Sequence, residues 1–116
     1  MTAYTRGRSF EYDVRDQLTN DGYECFRSAG SKTKVDIIAI KHGQILLVQA
    51  KRDGRISPAE RASVQATAAL IDCAVPILAY KVVGKSAVLL ARLTGPGPKD
   101  RVPFVCDEVG AECESG

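Results

Sequence analysis

Apolar residues recur at every fourth position in Phe10, Val14 and Leu18, the period of one face of an α-helix. With Thr5 as N-cap and Asn20-Asp21-Gly22 as a stop, the spacing predicts an amphipathic helix from Thr5 to about Leu18. Tyr23–Arg27 follows as a short strand, and Ser28–Lys34 as a polar, basic loop rich in turn residues. The runs Val35–Ile40 and Gln44–Lys51 are almost continuously apolar and meet through His42-Gly43. That pattern predicts a hairpin of two buried, central strands.

Ser57-Pro58-Ala59-Glu60 combines an N-cap serine, proline at the first helical position and the glutamate of a capping box, so a second helix starts there and runs to about Cys73. Its line of small residues, Ala59, Ala62, Ala66 and Ala69 with Leu70 and Cys73, is expected to lie close against a sheet. A second line, Val64, Ala68 and Ile71, is left for a further buried contact or a subunit interface. Val75–Val83 and Ala87–Leu93 read as two more strands around Gly84-Lys85. The order α-β-β-β-α-β-β predicts an α/β or α+β fold, a mixed β-sheet flanked by helices.

Residues 1–93 are expected to form the working domain. Thr94-Gly95-Pro96-Gly97-Pro98 breaks regular structure, and 94–116 is read as an acidic tail, partly flexible apart from the apolar patch Val102–Val105. The longest apolar run is far too short to cross a bilayer, and the polar N-terminal residues have no signal-peptide core. The expectation is a cytoplasmic protein. Cys25, Cys73, Cys106 and Cys113 fall at wide, irregular spacings with no C-x-x-C and a single histidine, so reduced, structural cysteines are expected rather than a zinc site.

Charge sharpens the picture. The formal net charge is +2, but residues 1–92 hold 14 Lys+Arg against 9 Asp+Glu, and residues 93–116 hold 2 against 5. A basic body suits a polyanionic partner, because neutralising phosphates releases counterions.

Within the hairpin, Asp36 opens one strand, and Gln49-Ala50-Lys51 closes its neighbour, so pairing brings these ends together. Alternation puts Gln49 and Lys51 on one face and Ala50 on the other. Charged groups are costly among apolar strands unless they are paired or bind a metal. Glu11, one step round from the helix's apolar stripe, would complete a site that hydrolyses a phosphodiester: oxygen ligands for Mg²⁺, and a lysine that orients or activates the attacking water. The same residues also fit a structural Asp36–Lys51 ion pair with Gln49 satisfying a sheet edge.

The strings Gly7-Arg8-Ser9-Phe10-Glu11, Gly22-Tyr23, Arg27-Ser28-Ala29-Gly30-Ser31-Lys32, Val35-Asp36-Ile37-Ile38-Ala39, Val48-Gln49-Ala50-Lys51 and Pro76-Ile77-Leu78-Ala79-Tyr80-Lys81 resemble, in order and spacing, the archaeal-type Holliday junction resolvases of the PD-(D/E)xK nuclease superfamily. The likeness spans roughly residues 6–82. It implies a restriction-endonuclease-like core and a homodimeric, Mg²⁺-dependent endodeoxyribonuclease, with Mn²⁺ able to substitute, that nicks opposing strands of branched DNA with four arms.

By that resemblance Glu11, Asp36, Gln49 and Lys51 form the catalytic set, with Glu11, Asp36, Gln49 and Ala50 around the metal. Ser28 and Ser31 lie in a loop that supports the site or the DNA, and Arg6, Arg8, Arg27, Lys32, Lys34, Arg52 and Arg55 are assigned to phosphate contacts. Gln49 departs from the pattern, which has Glu or Asp there; its amide oxygen can coordinate a metal but carries no charge. Weaker Mg²⁺ binding follows. A non-catalytic junction-binding module and a same-fold nuclease acting on flaps are the alternatives.

Overall fold

The computed structural model describes residues 3–27 and 35–104, with side chains from Phe10 onward. Phe10, Val14 and Leu18 are fully buried along one face of α1 (Ala3–Asn20), as their spacing requires. The helix stops where Gly22 takes φ 99°, a left-handed conformation open to glycine. There the Gly22 N–H donates to Thr19 O at 3.1 Å and the Tyr23 N–H to Leu18 O at 3.0 Å, the two bonds of a Schellman motif. Tyr23 and Leu18 then join the same apolar cluster.

A six-stranded sheet follows in the order of the chain: β1 (Glu24–Arg27), β2 (Ile37–Lys41), β3 (Gln44–Ala50), β4 (Ala74–Tyr80), β5 (Leu89–Leu93) and β6 (Arg101–Pro103). Neighbours run antiparallel except β3 and β4, which are parallel because α2 (Pro58–Ala69) carries the chain back between them. The mixed sheet and the 35–51 hairpin match the expectation. Strand alternation splits the core: Leu46 and Val48 face α1 with Ile37 and Ile77, while Leu47 and Leu78 face α2 with Val64 and Ala68. α1 and α2 therefore cover opposite faces of the sheet.

Several expectations are revised. Ala59, Ala62, Ala66 and Ala69 are exposed, and α2 instead buries Val64, Ala68 and Arg61. Alanine fits a close contact and a solvated surface equally well, whereas Val64 gains much more from burial. Arg61, 2% exposed, donates to Gly95 O at 3.1 Å and Asp100 O at 2.9 Å. These bonds anchor the loop that leads to β6, so the sheet continues past residue 93 and Phe104 packs on the α1-side core. α2 ends at Ala69, short of Cys73, which takes φ 69° and is disulfide-bonded, contrary to the expectation of reduced cysteines. Cys25 is a free thiol. No helix among the described residues is long and apolar enough to cross a membrane.

Candidate functional site

The two strand ends that the hairpin aligns are tied together by Asp36. Its N–H donates to Val48 O at 2.9 Å, and its carboxylate oxygen Oδ2 accepts the Ala50 N–H at 2.9 Å. The side chain is thus fixed at the end of β3. Burial raises its pKa above the usual aspartate value, and Glu11 and Glu60 add to the rise against the opposing pull of the Ala50 hydrogen bond and of Lys51.

Gln49 follows the face of Leu47 and is 7% exposed, and its Oε1 has no hydrogen-bond partner among the described residues. An unpaired buried carbonyl of this kind is costly and asks for a donor or a cation. Lys51 continues the sheet, its N–H donating to Ala79 O at 2.9 Å, and its ammonium donates to Glu60 Oε2 at 2.6 Å. The lysine is therefore held by a carboxylate at the start of α2. Glu60 also closes the capping box: its Oε1 accepts the Ser57 N–H at 3.1 Å, and its own N–H donates to Ser57 Oγ at 3.1 Å. Burial works against its charge, but these bonds outweigh that and hold its carboxyl below the usual range.

Glu11 is half-buried on α1, where the Arg27 guanidinium donates to its Oε1 at 3.1 Å. Arg27 in turn lies 4.5 Å from the centre of the Tyr12 ring. Among the described residues no three acidic, histidine or cysteine side chains converge into a ready metal cage. The physical reason is visible in the pairing, since Glu11 is turned to Arg27 and Glu60 to Lys51. The oxygen donors nevertheless suit a hard divalent cation: the desolvated Asp36 carboxylate, the unsatisfied Gln49 amide oxygen, and Glu11, whose charge Asp36 feels. Such an ion would supply charge stabilisation and a more acidic water.

Beyond Lys51 opens a cleft of about 1230 Å³ lined by Lys51, Arg52, Arg55, Lys81, Lys85 and Arg101, with Asp53 as the one acidic lining residue among those described. Arg52 and Arg55 were expected here. Lys81, Lys85 and Arg101 were not, because only the parallel pairing of Ala50 with Ala79 carries the ends of β3 and β4 to the same place. Lys81 is also held by Asp13 of α1 at 3.1 Å. The wall is shaped by Gly54, whose φ of 78° lets the turn after Lys51 lie against the Tyr80 ring, while Arg101 donates to Gly54 O at 3.1 Å. Arg6 and Arg8 lie in the first turns of α1. Ser28, Ser31, Lys32 and Lys34 fall outside the described residues.

Known proteins share this framework. The model of the archaeal Holliday junction resolvase family (Hjc) matches residues 2–94. A crossover junction endodeoxyribonuclease Hjc of Methanocaldococcus jannaschii is 38% identical over 52 residues, covering 45% of this chain and 38% of that relative, so the match spans well under half of its length. The solved structure of Hjc from Archaeoglobus fulgidus, a Holliday junction resolvase from an archaeal hyperthermophile, superposes with a TM-score of 0.63 at 24% identity, over 73% of this chain and 70% of that one. At that identity the likeness carries the fold.

Proposed function

The chain belongs to the archaeal Holliday junction resolvase family, and from that premise we propose that it is a Mg²⁺-dependent endonuclease that cuts four-way DNA junctions by paired nicks. One arrangement supports the reading: the Asp36 carboxylate is tied to the Ala50 N–H between Gln49 and Lys51, and Lys51 lines a cleft walled by cations. A phosphodiester drawn into that cleft meets Lys51, next to the Asp36–Ala50 contact. Arg52, Arg55, Lys85 and Arg101 hold the flanking phosphates. Asp36, Gln49 and Glu11 would hold the metal, for which Mn²⁺ would substitute and which would supply charge stabilisation and a more acidic water, and the Ala50 N–H fixes the Asp36 carboxylate. Lys51 orients the water whose oxygen bonds to phosphorus as the bond to the departing sugar oxygen breaks; the attacking water's proton passes to bulk solvent, and the departing oxygen takes one up from solvent. Two copies working on a two-fold-symmetric junction would each make one nick, and the exposed alanine line of α2 with Leu70 is the face available for their contact.

Gln49 favours a second reading. With no charge at that position, metal affinity falls, and the protein then binds junctions without cutting them. The two readings separate when the purified chain is incubated with a four-way junction, a flap and a linear duplex in Mg²⁺, Mn²⁺ or chelator. Metal-dependent nicks in the junction support the nuclease; cutting of the flap in preference moves the substrate; tight junction binding with no product in either metal sinks the enzyme.

A further inference from the structure

The resolvase reading leaves the charge missing at position 49 without a replacement, and the site contains one. Glu60 reaches it from α2, nine residues after Lys51, with Oε2 2.6 Å from the Lys51 ammonium. As a capping-box residue it needs only one oxygen for the helix, and Oε1 serves the Ser57 N–H. The other oxygen is therefore turned to the site. Asp36 feels the Glu60 charge as well as that of Lys51, and Lys51 is the residue that Glu60 touches. On the same face Gln49 is 7% exposed with its Oε1 unpartnered among the described residues. With an amide at 49 and a carboxylate at 60 paired to Lys51, two residues along the same strand face, the negative charge next to the lysine is brought in by the helix instead of the strand.

We propose that Glu60 is a working member of the site, the carboxylate that takes over the charge absent at Gln49. It positions Lys51 and raises the affinity of the site for a divalent cation. The proposal rests on the metal-dependent reading of the site, and its physical content is electrostatic: removing the charge weakens cation binding, whereas removing the helix cap alone does not.

The test uses the full chain and Mn²⁺ alone, titrated by electron paramagnetic resonance or calorimetry without DNA, on wild type, Glu60→Gln, Ser57→Ala, Gln49→Glu and the double variant Gln49→Glu/Glu60→Gln. Glutamine can still accept the Ser57 N–H, so Glu60→Gln keeps its cap and its melting temperature. Its Mn²⁺ affinity is expected to fall roughly tenfold, as loss of one charge about 6 Å from a divalent cation implies at a water-like dielectric near 80. Gln49→Glu in that background is expected to restore it. Ser57→Ala is expected to lower the melting temperature and leave Mn²⁺ affinity within twofold. Wild-type affinity in Glu60→Gln, or an equal loss in Ser57→Ala, overturns the proposal. Because the readout is cation binding, a wild type that never cuts DNA would sink the nuclease reading while the role of Glu60 is still decided by the titration.

Discussion

Asp36 and Ala50 hold the site together: a carboxylate at the start of β2 accepts, at 2.9 Å, a backbone N–H at the end of β3. The bond is possible because antiparallel pairing brings Ile37 opposite Val48. It fixes Asp36 next to Gln49 and Lys51 while stripping water from a charge.

That desolvation sets the sign of a stability prediction. The pKa of Asp36 is raised in the folded state, first by burial and then by Glu11 and Glu60. A group raised on folding contributes stability that is fully present below its unfolded pKa and lost as pH rises through its folded value. At neutral pH the ionised carboxylate is therefore a net burden on the metal-free protein. Asp36→Asn, which still accepts the Ala50 N–H, is expected to melt at or above the wild-type temperature at pH 7. The gap should close as the pH is lowered through the raised folded pKa of Asp36 toward its unfolded value near 3.8. Thermal melts in chelator across pH 4–8 measure it; a variant clearly less stable at pH 7 would contradict the assignment.

Arg61 gives the opposite kind of prediction. It is 2% exposed and its guanidinium serves two backbone carbonyls, Gly95 O and Asp100 O. Arg61→Met keeps the apolar stem but takes the guanidinium donor from Gly95 O and leaves Asp100 O with the Thr94 N–H at 2.9 Å, so urea unfolding should show a loss of about 1–3 kcal/mol. Because the anchored loop leads to β6, protection from hydrogen exchange should fall first at the Arg101 and Val102 amides.

Gly54 shapes the turn that carries Arg52 and Arg55. At φ 78° a β-carbon is strained, and it would sit 3.5 Å from the Tyr80 ring. Gly54→Ala should cost about 1–2 kcal/mol in unfolding experiments and lower junction affinity by displacing the cleft wall. A variant of wild-type stability would show that the turn is not held as described.

The cleft cations should appear as salt dependence. Arg55 and Lys85 are exposed on its wall, and each phosphate that is no longer neutralised reduces the slope of log affinity against log salt by about 1. Arg55→Ala/Lys85→Ala is then expected to lower the slope by roughly 2 with little change in preference between junction and duplex. An unchanged slope would remove the cleft from the DNA path.

How much of the fold and site is legible in the sequence follows from which contacts are local. The hairpin 35–51 can be read because its two apolar runs are adjacent in sequence and joined by a glycine turn, with Gly43 at φ 76°. Asp36, Gln49 and Lys51 come with it. The start of α2 is equally clear, since Ser57, Pro58 and Glu60 each carry a helix-start signal. What Glu60 does with its second oxygen is not, because the bond to Lys51 depends on how α2 seats on the sheet. Lys81, Lys85 and Arg101 are invisible for a similar reason: they join the site through parallel pairing across a helix and through an edge strand placed in a segment that reads as tail. The buried face of α2 is half legible: the second line's Val64 and Ala68 are buried while its Ile71 is exposed, but the alanine line is exposed as well, and Arg61 is hidden because a helical arginine is ordinarily solvated.

If Asp36 and Lys51 belong to a metal-dependent site that cuts four-way junctions, removing either must stop the cutting without releasing the DNA. The experiment is an immobile junction labelled on each strand in turn, incubated with wild type, Asp36→Asn and Lys51→Ala in Mg²⁺, Mn²⁺ and chelator, with products mapped on denaturing gels. Metal-dependent nicks are predicted at symmetric positions in opposing strands, reduced by a factor of roughly 10²–10⁴ in Lys51→Ala and abolished in Asp36→Asn, with junction binding retained in both. Cleavage that persists in Asp36→Asn, or wild-type protein that binds the junction and leaves every strand intact in both metals, would contradict it.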